Sequence, residues 1–211
     1  MTDLNRSSTA LPVPPPVSGS VLWTIPNLLT LARIVLIPVF LLIAYWPPAI
    51  GILGHAGSLL RHLTLAGVFV LAAVTDWLDG YLARVLNQTS AFGRFLDPVA
   101  DKLMVAAALV VLVQWRPNIA MAFAAIVIIS REITVSALRE WMAELGARAS
   151  VAVSNIGKFK TALQMIAITA FLLNMPRFDA ISYTLMYGAV ILTLWSMVIY
   201  LRAAWPYLKQ P

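Results

Sequence analysis

Six apolar runs, most of them at or beyond the roughly 20 residues that a helix needs to cross a bilayer, fill this 211-residue chain from position 27 to position 204. Pro, Gly or charge separates them, and they predict helices over 27–46, 59–86, 91–114, 118–141, 156–174 and 180–204. The fold class that follows is all-α: a polytopic membrane protein with six transmembrane helices in one compact domain over 21–211. A backbone in hydrocarbon must pair its own N–H and C=O groups, and a helix does so. Two runs outlast a crossing, the second protruding near Arg84 and the fourth near Arg139 to Gly146.

Composition narrows the partners. The chain is 61% hydrophobic and 11% charged, well outside the roughly 45–50% apolar and 25% charged of soluble domains. Residues 1–20 lack a continuous apolar core and carry a Pro-rich stretch, so they predict a disordered tail rather than a signal peptide. Without cysteine, and with only His55 and His62, there is neither a disulfide framework nor a thiolate or histidine-rich metal site. Any metal must be held by oxygen. Both histidines read as loop or interface residues, and Trp23, Trp46, Trp115 and Trp205 as interfacial belts.

The net charge of +6 comes without a basic run interleaved with aromatics, so no nucleic acid partner is expected. In a membrane protein such charge marks cytoplasmic helix ends and lipid headgroups. Arg6, Arg84, Arg94, Arg139, Arg148, Lys158, Lys160, Arg202 and Lys209 fall on one side, against Arg61, Arg116 and Arg177 on the other. Both termini are therefore expected in the cytoplasm. No internal repeat is evident, which counts against transporter folds built from duplicated halves.

Four acids stand where acids are expensive. Asp76, Asp79, Asp97 and Asp101 lie within or at the ends of the second and third apolar runs, and four uncompensated carboxylates at a bilayer centre would cost roughly 10–14 kcal/mol. At about 100° per residue, Asp76, Asp79, Gly80 and Ala83 share one helix stripe with Arg84 at its edge. Gly93, Asp97 and Asp101 share another. Facing one another, the stripes bring four carboxylates together, and one or two divalent cations such as Mg2+ or Mn2+ would neutralise them. Structural ion pairs, or a proton or cation pathway, remain alternatives. Small residues beside the acids favour a phosphate-bearing ligand, which needs close approach to the backbone and a guanidinium fork for its oxygens.

Residues 76–101 read D-x2-D-G-x2-A-R-x8-G-x3-D-x3-D, and this pattern resembles the signature of the CDP-alcohol phosphotransferase family at all eight fixed positions. The resemblance extends over segments 24–38, 74–84, 92–102, 130–146 and 150–165, where the chain is most similar to the bacterial phosphatidylglycerophosphate synthases of that family. It implies a six-helix homodimer in the bacterial cytoplasmic (inner) membrane, with its polar cavity open to the cytoplasm. It also implies transfer of the phosphatidyl group of CDP-diacylglycerol to sn-glycerol 3-phosphate, releasing CMP.

Carried onto matching positions, the resemblance makes Asp76, Asp79, Asp97 and Asp101 metal ligands, with Asp101 also the candidate general base. Gly80, Ala83 and Arg84 line the CDP-diacylglycerol site, joined by Asn27, Thr30 and Ser90. Thr30 bonding its own helix backbone, and Asn27 capping that helix, are the competing readings. An acceptor that carries phosphate needs further cations, and the candidates are Arg33, Arg131, Arg139, Lys158 and Lys160. Arg131 stands out because it lies inside an apolar helix, where an unpaired guanidinium is costly; its structural alternative is a pair with Glu132 or Glu140. Another acceptor alcohol, such as serine or inositol phosphate, and a divalent-cation transporter are the rival functions.

Overall fold

The computed structural model describes residues 24–46, 54–86, 91–146 and 155–208, and within them every long element is an α-helix. α1 runs Ile25–Tyr45, α2 Gly54–Val85, α3 Ala91–Trp115, α4 Ile119–Glu144, α5 Asn155–Leu173 and α6 Asp179–Leu208. A 3-10 turn, Pro176–Phe178, leads into α6. These are the six helices read from the apolar runs, with shifted ends. α2 begins five residues early, because Gly54 to Ser58 extend the helix without extending its apolar run. α6 continues through Pro206 near its end, where a proline removes only one bond of the ladder.

Four spans, Ile25–Tyr45, Gly57–Leu82, Ile119–Glu144 and Pro176–Tyr207, are each long and apolar enough to cross a membrane, and α5 supplies a shorter apolar stretch, Phe159–Leu173. In α3 the first half carries Arg94, Asp97, Asp101 and Lys102. What remains, 103–115, is about 20 Å of apolar helix at 1.5 Å per residue.

α1 packs on α2 and α3, α5 on α2 and α6, and α4 on α3 and α6. Phe40, Phe69, Leu109, Leu112, Ile128 and Phe171 meet in the main core. Lipid competes equally for apolar surface, so close packing, more than burial, holds such helices together. A Cβ at Gly188 of α6 would stand 3.3 Å from Leu163 Cδ2 of α5, so an added methyl there requires that leucine to give by a few tenths of an ångström. Large exposed side chains such as Val35, Leu42, Ile126 and Ile191 form the outer surface, as a lipid-facing wall requires.

Short connections make successive helices antiparallel, so the two ends of the bundle differ. At one end Arg116 donates to both oxygens of Asp179 and to Asn174 Oδ1, each at 2.8 Å. Asn174, which closes α5 in the left-handed region at φ 49°, meets His62 Nε2 at 3.2 Å. His62 Nδ1 lies 3.1 Å from the Leu172 carbonyl. That carbonyl can only accept, so Nδ1 carries the hydrogen and Nε2 accepts from the Asn174 amide. His62 is thus a buried strut inside α2 rather than a loop residue. Arg61 lies 5.1 Å over the Trp115 ring at the same end.

Candidate active site

The start of α1, the end of α2 and the start of α3 meet at the opposite end of the bundle. α1 buries Asn27, Thr30, Arg33, Phe40 and Ala44 along one face, polar in its first turns and apolar beyond. The helix starts at Ile25 with Thr24 as its N-cap, so Asn27 lies inside the first turn and is not the capping residue. Its buried side chain is among those with an interaction. Thr30 Oγ1 stands 2.5 Å from Asp97 Oδ1, 3.1 Å from the Pro26 carbonyl and 3.5 Å from Asp79 Oδ2. One hydroxyl hydrogen cannot serve three acceptors at once, and the shortest contact identifies Asp97 as its partner. Thr30 thus donates within the acid cluster, and the Pro26 carbonyl is its longer alternative.

Arg33 was expected among the acceptor cations. It lies instead among the acids, with Nη1 donating to Asp76 Oδ1 at 2.7 Å and Nη2 to Asp79 Oδ2. The physical reason is its burial at 1% exposure: a guanidinium sealed in a helix bundle needs a carboxylate beside it, and α2 supplies two. Its Nε is buried without a hydrogen-bond partner among the described residues.

Among the described residues no three acidic or histidine side chains converge as a metal-ligand set. Arg33 links Asp76 to Asp79, and Thr30 donates to Asp97. Carboxylates repel at short range without a counter-ion, and in this arrangement the counter-ion is Arg33. The donor set still fits Mg2+ or Mn2+ in kind, since it is built from hard oxygen ligands and two of its aspartates already hold a positive group. A Cβ at Gly80 would meet no atom within 4 Å among the described residues. Packing among the described residues therefore does not explain that glycine, and the space where its side chain would stand is open among them.

Asp101 belongs to the same end but faces a second set of groups. With Asp76, Lys102, Arg131, Glu132, Arg139 and Lys160 it lines a cavity of about 690 Å³. Arg131 and Arg139 of α4 and Lys160 of α5 thus line one cavity, and Arg33 is not among the lining residues. Arg131 Nη1 pairs with Glu132 Oε1 at 3.0 Å, and its Nη2 donates to Ser196 Oγ at 2.9 Å. Lys160 Nζ reaches the same Glu132 oxygen at 2.5 Å. Arg139 donates to the Tyr200 hydroxyl at 2.8 Å, and both arginines lie over the Tyr200 ring, at 5.6 and 5.1 Å. Sequence reasoning missed Lys102, bonded to Ser136 of α4, and the α6 partners Ser196 and Tyr200. For Lys102 the signal was its position next to Asp101 at a costly depth; for Ser196 and Tyr200 there was none. Ser90, residues 1–20 and the side chains of Ala83, Arg84 and Lys158 lie outside what is described.

Comparison with known proteins gives the family. The family model for CDP-alcohol phosphatidyltransferase matches residues 23–195. A CDP-diacylglycerol–glycerol-3-phosphate 3-phosphatidyltransferase from Pseudomonas fluorescens is 52% identical over 189 residues, covering 88% of this chain and 92% of that protein. Proteins of the same name from Pectobacterium atrosepticum, 49% identical over 90% of this chain and 99% of that protein, and from Haemophilus influenzae, 48% identical over 86% and 94%, are also similar. With an aspartate-lined bundle end and a family match running from α1 into α6, the chain belongs to the CDP-alcohol phosphatidyltransferase family.

Proposed function

We propose that this chain is a CDP-diacylglycerol–glycerol-3-phosphate 3-phosphatidyltransferase, a multi-pass enzyme of phospholipid biosynthesis in the bacterial inner membrane. The names of its relatives support the reaction. One structural observation supports the acceptor: Arg131, Arg139 and Lys160 share a cavity with Asp101, so an anionic alcohol held by the three cations brings its hydroxyl to a carboxylate.

In this reading Asp76, Asp79, Asp97 and Asp101 hold two divalent ions, Mg2+ or Mn2+. When bound, the ions supply charge neutralisation of the donor diphosphate and electrophilic activation of its phosphorus. Gly80 leaves room for the CDP group beside α2, and Ala83, Arg84, Asn27, Thr30 and Ser90 complete that side. Arg131, Arg139, Lys160 and Lys158 orient the phosphate of glycerol 3-phosphate. Asp101 accepts the proton of its C1 hydroxyl as that oxygen attacks the phosphorus bearing diacylglycerol. A new P–O bond forms to glycerol, the P–O bond to CMP breaks, and CMP leaves with the electron pair. Six crossings, cytoplasmic termini, a site facing the cytoplasm and a homodimer complete the proposal.

The deciding experiment incubates purified protein with CDP-diacylglycerol, magnesium and a panel of alcohols, then identifies the lipid formed. Phosphatidylglycerophosphate with CMP is expected. Product with serine or inositol phosphate, and none with glycerol 3-phosphate, would reject the acceptor assignment.

A further inference from the structure

Two almost fully buried cations in this bundle share one carboxylate oxygen. Lys160 Nζ and Arg131 Nη1 approach Glu132 Oε1 at 2.5 and 3.0 Å, and their side chains are 3% and 6% exposed, against 21% for Glu132. Of the cavity's other two cations, Arg139 is bonded to a neutral hydroxyl, that of Tyr200, and Lys102 to that of Ser136. The four lining cations thus outnumber the three lining carboxylates, Asp76, Asp101 and Glu132, and the carboxylate that holds two of them is the most exposed member of its ion-paired cluster.

A buried ammonium and guanidinium need an anion close by whether or not substrate is present. We infer that Glu132 is the resident counter-ion of Lys160 and Arg131, and that a phosphorylated alcohol binds by displacing its carboxylate from them. This rests on the acceptor pocket proposed above and adds to it what sets the pocket's affinity. A phosphate dianion offers three oxygens and two charges where Glu132 offers one shared oxygen, so exchange favours phosphate. A neutral alcohol offers nothing that releases Lys160. Each binding event breaks two charged contacts before making new ones, and its observed strength is the difference. Glu132 thereby holds the pocket together when empty and weakens it toward every anion.

The test is thermal unfolding of the full-length detergent-solubilised chain, titrated with inorganic phosphate and separately with sn-glycerol 3-phosphate. Glu132→Gln is expected to unfold at lower temperature without anion. It is also expected to reach half-maximal stabilisation at an anion concentration lower on the order of tenfold, the equivalent of about 1.4 kcal/mol. Glu132→Asp keeps the charge on a shorter arm and is expected to move in the same direction by less. A half-saturating concentration that stays the same or rises in Glu132→Gln overturns the inference. Should that variant be lost during purification, phosphate in every buffer is expected to rescue it, and failure of rescue overturns the inference equally. Lys160→Met and Arg131→Ala separate this from the reading beneath it. If neither raises the Michaelis constant for glycerol 3-phosphate, the acceptor pocket itself is misassigned. If both raise it while Glu132→Gln leaves anion affinity unchanged, only the displacement by phosphate fails.

Discussion

Arg33 of α1 is paired with Asp79 of α2 across 46 positions of sequence, and the two side chains are 1% and 4% exposed. An ion pair so sealed contributes modest net stability while intact, because both charges have given up water. Breaking it from one side is a different matter, since the remaining charge then stays buried alone.

Arg33→Ala is therefore expected to cost about 3–5 kcal/mol, read as a lower unfolding temperature in detergent. Magnesium or manganese should restore part of the loss by taking over as counter-ion to Asp76 and Asp79. An unfolding temperature equal to that of the native chain, with or without metal, would show that the pair does not brace α1 against α2.

Asp101 lines the acceptor cavity with Asp76, Arg131 and Lys160, and the Arg33 and Thr30 contacts go to the other three aspartates. Asp101→Asn should keep donor binding, since Asp76, Asp79 and Asp97 remain, while turnover falls about 10²–10⁴-fold, the usual worth of general base catalysis. Donor affinity and turnover measured across a magnesium series check this. Return to near-native turnover at high magnesium would mean that Asp101 acts as a ligand and accepts no essential proton.

Arg131→Ala removes a cation of the acceptor cavity. The Michaelis constant for glycerol 3-phosphate should rise by more than that for CDP-diacylglycerol, reflecting the loss of about 1.5–3 kcal/mol of charged hydrogen bonding. Steady-state kinetics with each substrate varied in turn supplies the comparison. Equal changes for both would assign Arg131 a structural role through Glu132 and Ser196.

At the far end, Arg116 and Asp179 form a two-point pair with side chains 17% and 36% exposed. Arg116→Ala should lower stability by about 1 kcal/mol and leave both Michaelis constants where they were. A changed constant for either substrate would tie that end of the bundle to the chemistry.

The helices were legible because each apolar run is close to bilayer length, and hydrocarbon leaves its backbone no other means of pairing. The aspartate stripe was legible for the same reason turned round: charge at that depth needs a cause, and a fixed spacing carries it. What the linear pattern could not hold is the choice of partner. Arg33 reads as one more cation of the apolar first helix until α1 is laid on α2 and two carboxylates are found beside it. Lys160 and Glu132 lie 28 residues apart on different helices, and only packing decides that they share an oxygen with Arg131. His62 reads as an interfacial residue because its two partners, Leu172 and Asn174, come from the end of α5, 110 and 112 positions away.

The network through Arg116, Asp179, Asn174 and His62 has a mechanical consequence. Neutral hydrogen bonds and a two-point pair clasp one end of the bundle, while the other is held by charges that a bound anion or cation is able to take over. Loss of a bound ion is therefore felt first at the charged end, where it leaves carboxylates or cations uncompensated, while the clasped end keeps every contact it has.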